Sequence, residues 1–256
     1  GDYIWFFDSD DMLKGDFVNE IYETAVKSNV EILQMSFMSF HDGKNDVYKT
    51  ESVFEYKKII GHNELIKYVA SSNTDRSVIF AWRNIYKRAF LIDNNILFDQ
   101  SLRMLEDPPF NTLAFLKAER FMAVDIPGYS YRIRQDSLQR KKYVENYDTI
   151  MNYQWELKLK YYGEFSDNDK LFYKDIAEFT IKTNLPILLS NVYSNDIDGK
   201  YGLLKRIGNS NMIRKSFNDY DIKEFKSKSL DWWATLFIKK KLYPLAHFIC
   251  KKVLYK

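Results

Sequence analysis

The sequence has 256 residues, 46% of them hydrophobic, which is enough for one large domain or a domain with an appendage. Lys and Arg total 38 against 35 Asp and Glu, so the net charge is only +3. That balance excludes the strong basic excess of a typical nucleic-acid binder. The single cysteine, Cys250, excludes an internal disulfide and favours a reducing, cytoplasmic compartment.

The chain opens on an apolar run, residues 3–7, which predicts a buried strand of a parallel sheet covered on both faces. It starts without an initiator Met or a basic n-region, so we expect no signal peptide, and no apolar run approaches the ~20 residues that span a bilayer. Because a natural chain rarely begins on a buried strand, we expect a fragment whose upstream residues are missing.

The elements that follow interleave helices and strands, which predicts an α/β fold for residues 1–142. We expect a strand over residues 30–40, a helix over 63–70, an extended stretch leading into a short helix over 77–90, a loop at 105–109 and a helix over 110–118. Two short strands, 121–124 and 129–133, should flank Pro127-Gly128. A helical extension is predicted over 143–228, polar and turn-rich after residue 190, and a basic, aromatic, amphipathic tail over 229–256.

Acidic residues follow the first predicted strand directly. Asp8 and Asp10 would lie at its C-terminal tip, and ligands of α/β sheets bind outside such strand ends. Two close carboxylates repel each other unless a cation neutralises them, and Mg²⁺ or Mn²⁺ takes oxygen ligands completed by substrate phosphates. The pair therefore suits a metal–diphosphate site; the alternative is a solvated turn in which Asp11 caps the next helix.

Two families have an Asp-x-Asp after a strand. Phosphatases of the haloacid dehalogenase type usually continue into Gly-Thr, where this sequence has Asp11-Met12. Residues 1–11, with the doubled final Asp, closely resemble the signature of glycosyltransferase family 2, which has the GT-A fold.

Three further segments resemble that family in the same order. Residues 81–88 are similar to its Trp-x-Lys-hydrophobic-Tyr segment, with Asn84 where Lys is more usual. Residues 105–107 resemble its Glu-Asp motif, although Pro108-Pro109 follows and should stiffen the loop. Residues 127–137 resemble the Tyr-x-Tyr-Arg-x-Arg segment that closes the domain. The processive members' Gln-x-x-Arg-Trp motif is not matched by residues 139–143, so the resemblance is to a bacterial, non-processive type.

The resemblance implies a metal-dependent glycosyltransferase of the hexosyl type that acts in surface polysaccharide, capsule or glycoconjugate synthesis. The donor would be a nucleotide sugar, in the first place a UDP-sugar, and the acceptor a saccharide or a lipid-linked acceptor. Asp10 would hold Mn²⁺ or Mg²⁺, Asp8 would support it or contact the donor, and Asp107 would be the general base of an inverting displacement. The family's nucleotide-binding strands precede the Asp-x-Asp strand, so this fragment by itself is expected to be inactive.

Other candidate residues have two interpretations each. Glu106 could bind the acceptor or orient Asp107, or be a surface acid. Trp82 could stack on a sugar or belong to the core. Arg132 and Arg134 share one strand face and could contact phosphate or form ordinary ion pairs.

The tail interleaves aromatic and basic residues, which suits peripheral contact with the inner face of a membrane; packing on the catalytic domain is the alternative. Two other functions stay open, a phosphatase with Asp8 as its nucleophile and a non-catalytic binding module.

Overall fold

The computed structural model describes residues 1–13, 17–41, 47–75, 80–133, 143–165, 170–225 and 229–255. By its internal contacts the chain divides into two compact units. The first unit comprises Gly1–Arg140 with Lys160–Phe165, and the second comprises Lys141–Leu159 with Ser166–Lys256. Among the described residues, no helix combines the length and the apolar character needed to cross a bilayer.

A mixed sheet forms the centre of the first unit. The strands of its described part are β1 (Tyr3–Trp5), β2 (Met12–Leu13), β3 (Ile32–His41), β4 (Val47–Thr50), β5 (Ile59–Gly61), β6 (Asn84–Lys87) and β7 (Arg120–Ile133). Their order is β1-β6-β3-β7-β2, with β4 beside β3 and β5 beside β7. Only β3 and β7 are parallel neighbours; the other pairs are antiparallel.

Helices cover this sheet. They are α1 (Phe17–Ser28), α2 (His62–Val69), α3 (Ser72–Asp75), α4 (Arg88–Asp93) and α5 (Asp107–Lys117). Helix α1 places Ile21 and Ala25 against the centre of β3 and β7, where Leu33, Met35 and Val124 are fully buried. The predicted α/β class is confirmed, as are the strand over 30–40 and the helix over 63–70.

Strand β7 corrects one prediction, because residues 120–133 form a single strand instead of two. Between the register pairs Met35–Val124 and Phe37–Tyr129, β3 contributes one residue and β7 contributes the four residues 125–128. The extra residues bulge out of the ladder, so Pro127, which has no N–H to donate, interrupts the pairing without ending the strand.

The opening strand also differs from its prediction. β1 is half-buried and pairs antiparallel with β6, instead of being a fully covered member of a parallel sheet. It still runs in the direction of β3 and β7, because β6 is antiparallel to both β1 and β3. In the stretch predicted to be extended, the strand begins only at Asn84, after a turn of 3₁₀ helix over Ala81–Arg83.

The second unit is helical. Its elements are α6 (Tyr147–Gly163, whose last residues belong to the first unit), α7 (Lys170–Phe179), a π-helical turn (Thr180–Asn184), α8 (Leu185–Tyr193), α9 (Lys200–Asn209), α10 (Asn211–Asp219), α11 (Leu230–Lys239), α12 (Tyr243–Ile249) and a π-helical turn (Cys250–Leu254). The prediction of turns after residue 190 is wrong for α9 and α10. These helices form because Leu204, Ile207, Met212, Ile213 and Phe217 bury an apolar stripe among polar residues.

The tail packs on α9 and α10. Arg214 donates hydrogen bonds to the carbonyls of Ile238 (2.7 Å) and Lys239 (3.1 Å) and to the hydroxyl of Tyr243 (3.0 Å). The Tyr243 ring lies over Gly208, where an added Cβ would stand 2.7 Å from a ring carbon. The inner face of the tail therefore belongs to the core of the second unit.

We expect Gly208→Ala to lower the free energy of unfolding of the second unit by about 1–3 kcal/mol, because the new methyl group overpacks the Tyr243 contact. The matched control is Gly202→Ala in the same helix, where an added Cβ meets nothing within 4 Å and removes glycine's entropy cost. Urea unfolding followed by circular dichroism would measure both. Equal stability of the two variants would contradict the close contact.

Candidate active site

The acidic segment between β1 and β2 crosses the sheet at its end. β1 and β2 lie at opposite ends of the strand order, so residues 6–11 pass from the β1 edge to β7. The passage closes with a turn in which the Asp11 N–H donates to the Asp8 carbonyl at 3.1 Å. Asp8 and Asp10 are exposed on this turn, beyond the carboxyl end of β1.

Asp11 attaches the turn to β7. Its carboxylate accepts a hydrogen bond from the Tyr129 hydroxyl at 2.5 Å and one from the Arg132 backbone N–H at 2.7 Å. Asp11 is 8% exposed and is followed by β2, so it does not cap a helix as the alternative interpretation expected. The doubled acid of the motif therefore has two environments, with Asp8 and Asp10 open to solvent and Asp11 buried.

Tyr129 is the residue around which the turn is organised. It is fully buried, and its ring contacts Trp5, Phe7 and Trp82 at centroid distances of 6.2, 5.1 and 4.4 Å. Its hydroxyl donates to Asp11 and accepts from the Asp8 N–H at 3.4 Å. Burial, followed by the Asp11 carboxylate, raises the Tyr129 pKa, so the hydroxyl keeps the proton that it donates.

Negative charge accumulates at this end of the sheet. Although the residue is exposed as a whole, partial desolvation of its carboxylate raises the pKa of Asp8, and the charges of Asp11, Asp10 and Glu106 raise it further. Burial also raises the pKa of Asp11, against the lowering effect of the hydrogen bonds from Arg132 and Tyr129. Repulsion of this kind is relieved when a cation binds among the carboxylates.

Asp107, on α5, belongs to the same group of acidic residues. It is the first residue of α5, with Pro108 and Pro109 in the first turn, where a proline's missing N–H costs no helical hydrogen bond. The prolines that were expected to stiffen a loop therefore start the helix. The Asp107 Oδ2 atom accepts a hydrogen bond from the Ala81 N–H at 2.9 Å.

The Asp107 carboxyl group has a strongly altered acidity. Its pKa is raised to about 7, mainly by burial and further by the charges of Glu106 and Asp8, while the hydrogen bond from Ala81 lowers it. The contribution of Asp8 shows that two acids 99 positions apart in the sequence lie within electrostatic reach of each other. An acid that titrates near neutral pH is suited to accept a proton in a reaction.

Buried polar side chains hold α5 on the sheet behind Asp107. The Tyr86 hydroxyl donates to Asn111 Oδ1 at 2.5 Å, and Asn84 Nδ2 donates to the Tyr86 hydroxyl at 3.0 Å. Gln34 Nε2 donates to Asn84 Oδ1 at 3.3 Å. Asn84, which departs from the family's usual Lys, therefore forms part of a core network between α5 and β6.

The backbone before Asp107 is strained. Leu105 has a φ of 60°, a left-handed conformation that a branched side chain adopts only at a cost of about 1–2 kcal/mol. Such strain persists where the surrounding structure holds it, and it is concentrated at functional sites. Here it lies two residues before the start of α5, directly before Glu106 and Asp107.

The remaining predicted site residues have separate environments. Trp82 is 5% exposed and stacks with Phe80, Tyr129 and Tyr131 at 4.9, 4.4 and 5.6 Å, so it belongs to the core and offers little surface to a sugar. The Arg132 guanidinium lies 5.7 Å from the Phe40 ring. Arg134 lies outside the described residues.

Sequence reasoning missed the supporting residues of the site. Tyr129 lay in a recognised segment but carried no predicted role, and Asp11 was considered only as a helix cap. The doubled acid Asp10-Asp11 could have indicated the role of Asp11, because a carboxylate next to two exposed ones can point into the core. Nothing in the sequence indicates that the Ala81 N–H faces Asp107.

We expect Asp107→Asn to stabilise the protein above neutral pH. The folded-state pKa of about 7 exceeds the unfolded value near 3.8, so the stabilisation from a protonated Asp107 is complete below pH ~4 and is lost as pH rises through about 7. The shift corresponds to at most ~4 kcal/mol, which the amide avoids because it does not ionise. Thermal unfolding at pH 5 and pH 8.5 would measure it, with the exposed Asp93→Asn as control. A variant less stable than the wild type at pH 8.5 would contradict the assigned burial.

Tyr129→Phe should lower the free energy of unfolding by about 1–3 kcal/mol, because a buried carboxylate loses a hydroxyl donor. Tyr22→Phe, which removes a hydroxyl bonded to Asp2 at the surface, is the matched control and should cost under ~0.5 kcal/mol. Equilibrium unfolding in urea would compare them. Equal costs would show that Tyr129 does not hold the turn.

No protein-family model matches the chain. Among curated proteins it is 25% identical over 221 residues to the uncharacterized glycosyltransferase EpsJ of Bacillus subtilis, covering 84% of this chain and 62% of EpsJ. It is 27% identical over 143 residues to the glycosyltransferase GlyA of Streptococcus pneumoniae, covering 55% of this chain and 20% of GlyA. A processive diacylglycerol β-glycosyltransferase of Mycoplasma genitalium is 26% identical over 143 residues, 53% of this chain and 40% of that protein.

Solved structures share the fold. TarS 1–349 of S. aureus in complex with UDP-GlcNAc aligns with 98% of this chain and 67% of its own, at a TM-score of 0.59 and 16% identity. The complex of the same protein with UDP gives a TM-score of 0.56 at 14% identity. The α/β fold of this chain thus matches that of TarS. The three curated relatives, all named glycosyltransferases, support a glycosyltransferase family for this chain.

Proposed function

We propose that a protein containing this chain transfers a sugar from a nucleotide-sugar donor to a saccharide or lipid-linked acceptor, as a member of glycosyltransferase family 2 with the GT-A fold. The observation that carries the proposal is the environment of Asp107, a partly buried acid whose pKa of about 7 is raised in part by the charge of Asp8 on the acidic turn. The chain spans 62% of EpsJ, so the activity is proposed for the whole protein.

The acidic turn has donor chemistry that suits a hard divalent cation. Asp8 and Asp10 supply exposed carboxylate oxygens, and the pKa of Asp8 is raised in part by its acidic neighbours, a penalty that Mn²⁺ or Mg²⁺ would remove. Within the part of the chain that the structure describes, no group of three or more His, Cys, Asp or Glu side chains is arranged to hold a metal ion. Two carboxylates completed by donor phosphates fit this arrangement, as Mg²⁺ sites commonly use one or two carboxylates.

The departing nucleoside diphosphate gains negative charge, which a divalent ion at this turn would neutralise. In our proposal Asp10 is the main ligand, and Asp8 supports it or contacts the donor sugar. Asp11 and Tyr129 touch no reacting atom; they hold the turn in place from the β7 side. Arg132 contributes its backbone N–H to this support, and phosphate contact by its side chain is a further proposal.

Asp107 accepts the proton of the acceptor hydroxyl as the new C–O bond forms, while the bond from the anomeric carbon to the diphosphate breaks. The backbone hydrogen bond from Ala81 fixes the Asp107 Oδ2 atom, which leaves Oδ1 for the acceptor. Glu106 lies next to the base and raises its pKa, a role compatible with acceptor binding as well. One displacement of this kind inverts the anomeric configuration.

The donor class is proposed from the relatives. TarS, which shares the fold, has been solved with UDP and with UDP-GlcNAc, which favours a UDP-sugar here as well. We also propose that the reaction takes place in the cytoplasm and contributes to surface polysaccharide or glycoconjugate synthesis, by a non-processive mechanism. The single buried cysteine agrees with a reducing compartment.

The function is tested with Asp107→Asn in a protein that contains the chain. With UDP-sugars, Mn²⁺ and a panel of saccharide acceptors, the variant should lose about 10²–10⁴ of the transfer rate while it keeps UDP binding. Because Asp107 must be ionised, the wild-type kcat/KM should rise with pH through about 7 and then level off. Product mass spectrometry gives the rates.

Asp93→Asn, at an exposed position in the same unit, is the control and should keep the wild-type rate. Unchanged transfer by Asp107→Asn would contradict the role of the base. Phosphate release from a phosphomonoester that needs Asp8 but not Asp107 would instead support the phosphatase alternative. If neither the wild type nor the Asp107→Asn variant transfers a sugar and both bind the same partner, a non-catalytic binding module would be supported.

A further inference from the structure

The last segment of the second unit, from α11 to the π-helical turn, leaves several large apolar side chains exposed to solvent. Leu242, Leu245 and Phe248 are 46%, 49% and 61% exposed, and Trp233 and Val253 are 40% and 46% exposed. We call these five side chains the outer face. Single exposed apolar residues are ordinary on a protein surface, but a group of this size on one short segment indicates an interaction.

Helix α12 is apolar on both sides. Tyr243, Ala246 and Cys250 point inward and are 6%, 0% and 0% exposed, which accounts for the packing of the helix on α9. Leu245 and Phe248, three residues apart, belong to the opposite side. A helix that only closed the core would have polar residues there, so the outer face serves something other than the fold.

Positive charge is concentrated in the same segment of the chain. The described lysines of the segment are Lys239, Lys240, Lys241, Lys251 and Lys252, and Lys256 follows outside the described residues. Asp231 is the only acid in residues 229–256, so six lysines and one acid give this segment a formal charge of +5. The whole chain carries +3, so the remaining residues carry −2 and the basic excess is confined to the tail.

We propose that the outer face of α11 and α12 docks on the surface of an anionic lipid bilayer. Leu245 and Phe248 would enter the boundary between headgroups and acyl chains, and the lysines would lie among anionic headgroups. Trp233, whose ring lies 5.8 Å from that of Phe237, has the amphipathic ring that is enriched at this depth. The helices lie on the membrane without crossing it.

Charge decides against the other occupants. A second copy of the chain would bring two segments of +5 together across a two-fold axis, which is repulsive. Nucleic acid would be attracted by the lysines and its bases could stack on Trp233 or Phe248, but the aliphatic side chains of Leu242, Leu245 and Val253 would then stay in water. An anionic bilayer satisfies both the charge and the aliphatic surface.

The outer face is held in a fixed conformation before it meets a membrane. Arg214 binds the carbonyl end of α11, and the Tyr243 hydroxyl donates to Asn209 Oδ1 at 2.8 Å at the start of α12. Because these contacts order the helices in advance, docking loses little conformational entropy.

The test is co-sedimentation of the full chain with vesicles, without any activity readout, so its result is independent of the proposed function. The chain should bind phosphatidylcholine vesicles that contain roughly one-third phosphatidylglycerol, and bind pure phosphatidylcholine at least about tenfold more weakly. Raising the salt from about 0.1 to about 0.5 M should weaken binding, because the Debye length shortens.

Two double variants test the apolar and the electrostatic contributions to binding separately. Leu245→Gln with Phe248→Gln removes the apolar insertion, and Lys240→Glu with Lys252→Glu reverses two charges; each should weaken binding at least about tenfold. The matched controls alter exposed residues elsewhere in the second unit, Leu171→Gln and Lys205→Glu with Lys223→Glu. The charge control has the same net charge as the lysine variant. Both controls should bind as the wild type does.

Three results would overturn the proposal. One is the absence of sedimentation with the anionic vesicles, and another is equal binding by the tail variants and their controls. The third is a concentration-dependent dimer in light scattering that the Leu245 and Phe248 substitutions abolish, since the face would then bind a second copy. Thermal unfolding of each variant, with melting within ~2 °C of the wild type, shows that these exposed substitutions leave the fold intact.

Discussion

Two hydrogen bonds to one buried carboxylate hold the acidic turn at the end of the sheet. Asp11 accepts them from the Tyr129 hydroxyl and the Arg132 N–H, both on β7, and so ties residues 6–11 to the strand at the centre of the fold. The hydrogen bond within the turn, from the Asp11 N–H to the Asp8 carbonyl, is local and does not attach the turn to the sheet. The exposed carboxylates are thus positioned by a buried one, and the charge that burial disfavours is retained because it is fully hydrogen-bonded.

A second constraint acts on Asp107. Its location at the start of α5 depends on the left-handed backbone at Leu105 and on the Tyr86–Asn111 hydrogen bond, which holds the helix against β6. The pKa of Asp107 is raised mainly by burial and further by the charges of Glu106 and Asp8. Ionising an acid in this environment costs free energy, so the position is not optimised for stability alone.

The two ends of the chain use aromatic residues differently. In the first unit, Trp82 and Tyr129 stack face to face and fill the space under the acidic turn. In the tail, Trp233 and Phe248 stay exposed beside lysines. Composition alone does not distinguish core packing from surface exposure, because the same aromatic residue types have both roles. The two roles differ in what surrounds the ring.

Local pattern in the sequence determined the α/β class, the strand at β3, the helix at α2 and the acids that could perform chemistry. These features depend on neighbours within a few residues, which a single sequence displays directly. The alternation of apolar and polar residues could not predict that β7 continues through Pro127-Gly128, because the bulge is defined by the pairing of β7 with β3.

Helices α9 and α10 were missed because their apolar residues are sparse, and their stability comes from packing rather than from propensity. Only the tertiary structure decided that Asp107 comes within electrostatic reach of Asp8, that Asp11 turns inward and that Trp82 is covered. Burial and electrostatic proximity are properties of residues far apart in the chain, so they exist only once the sheet has assembled.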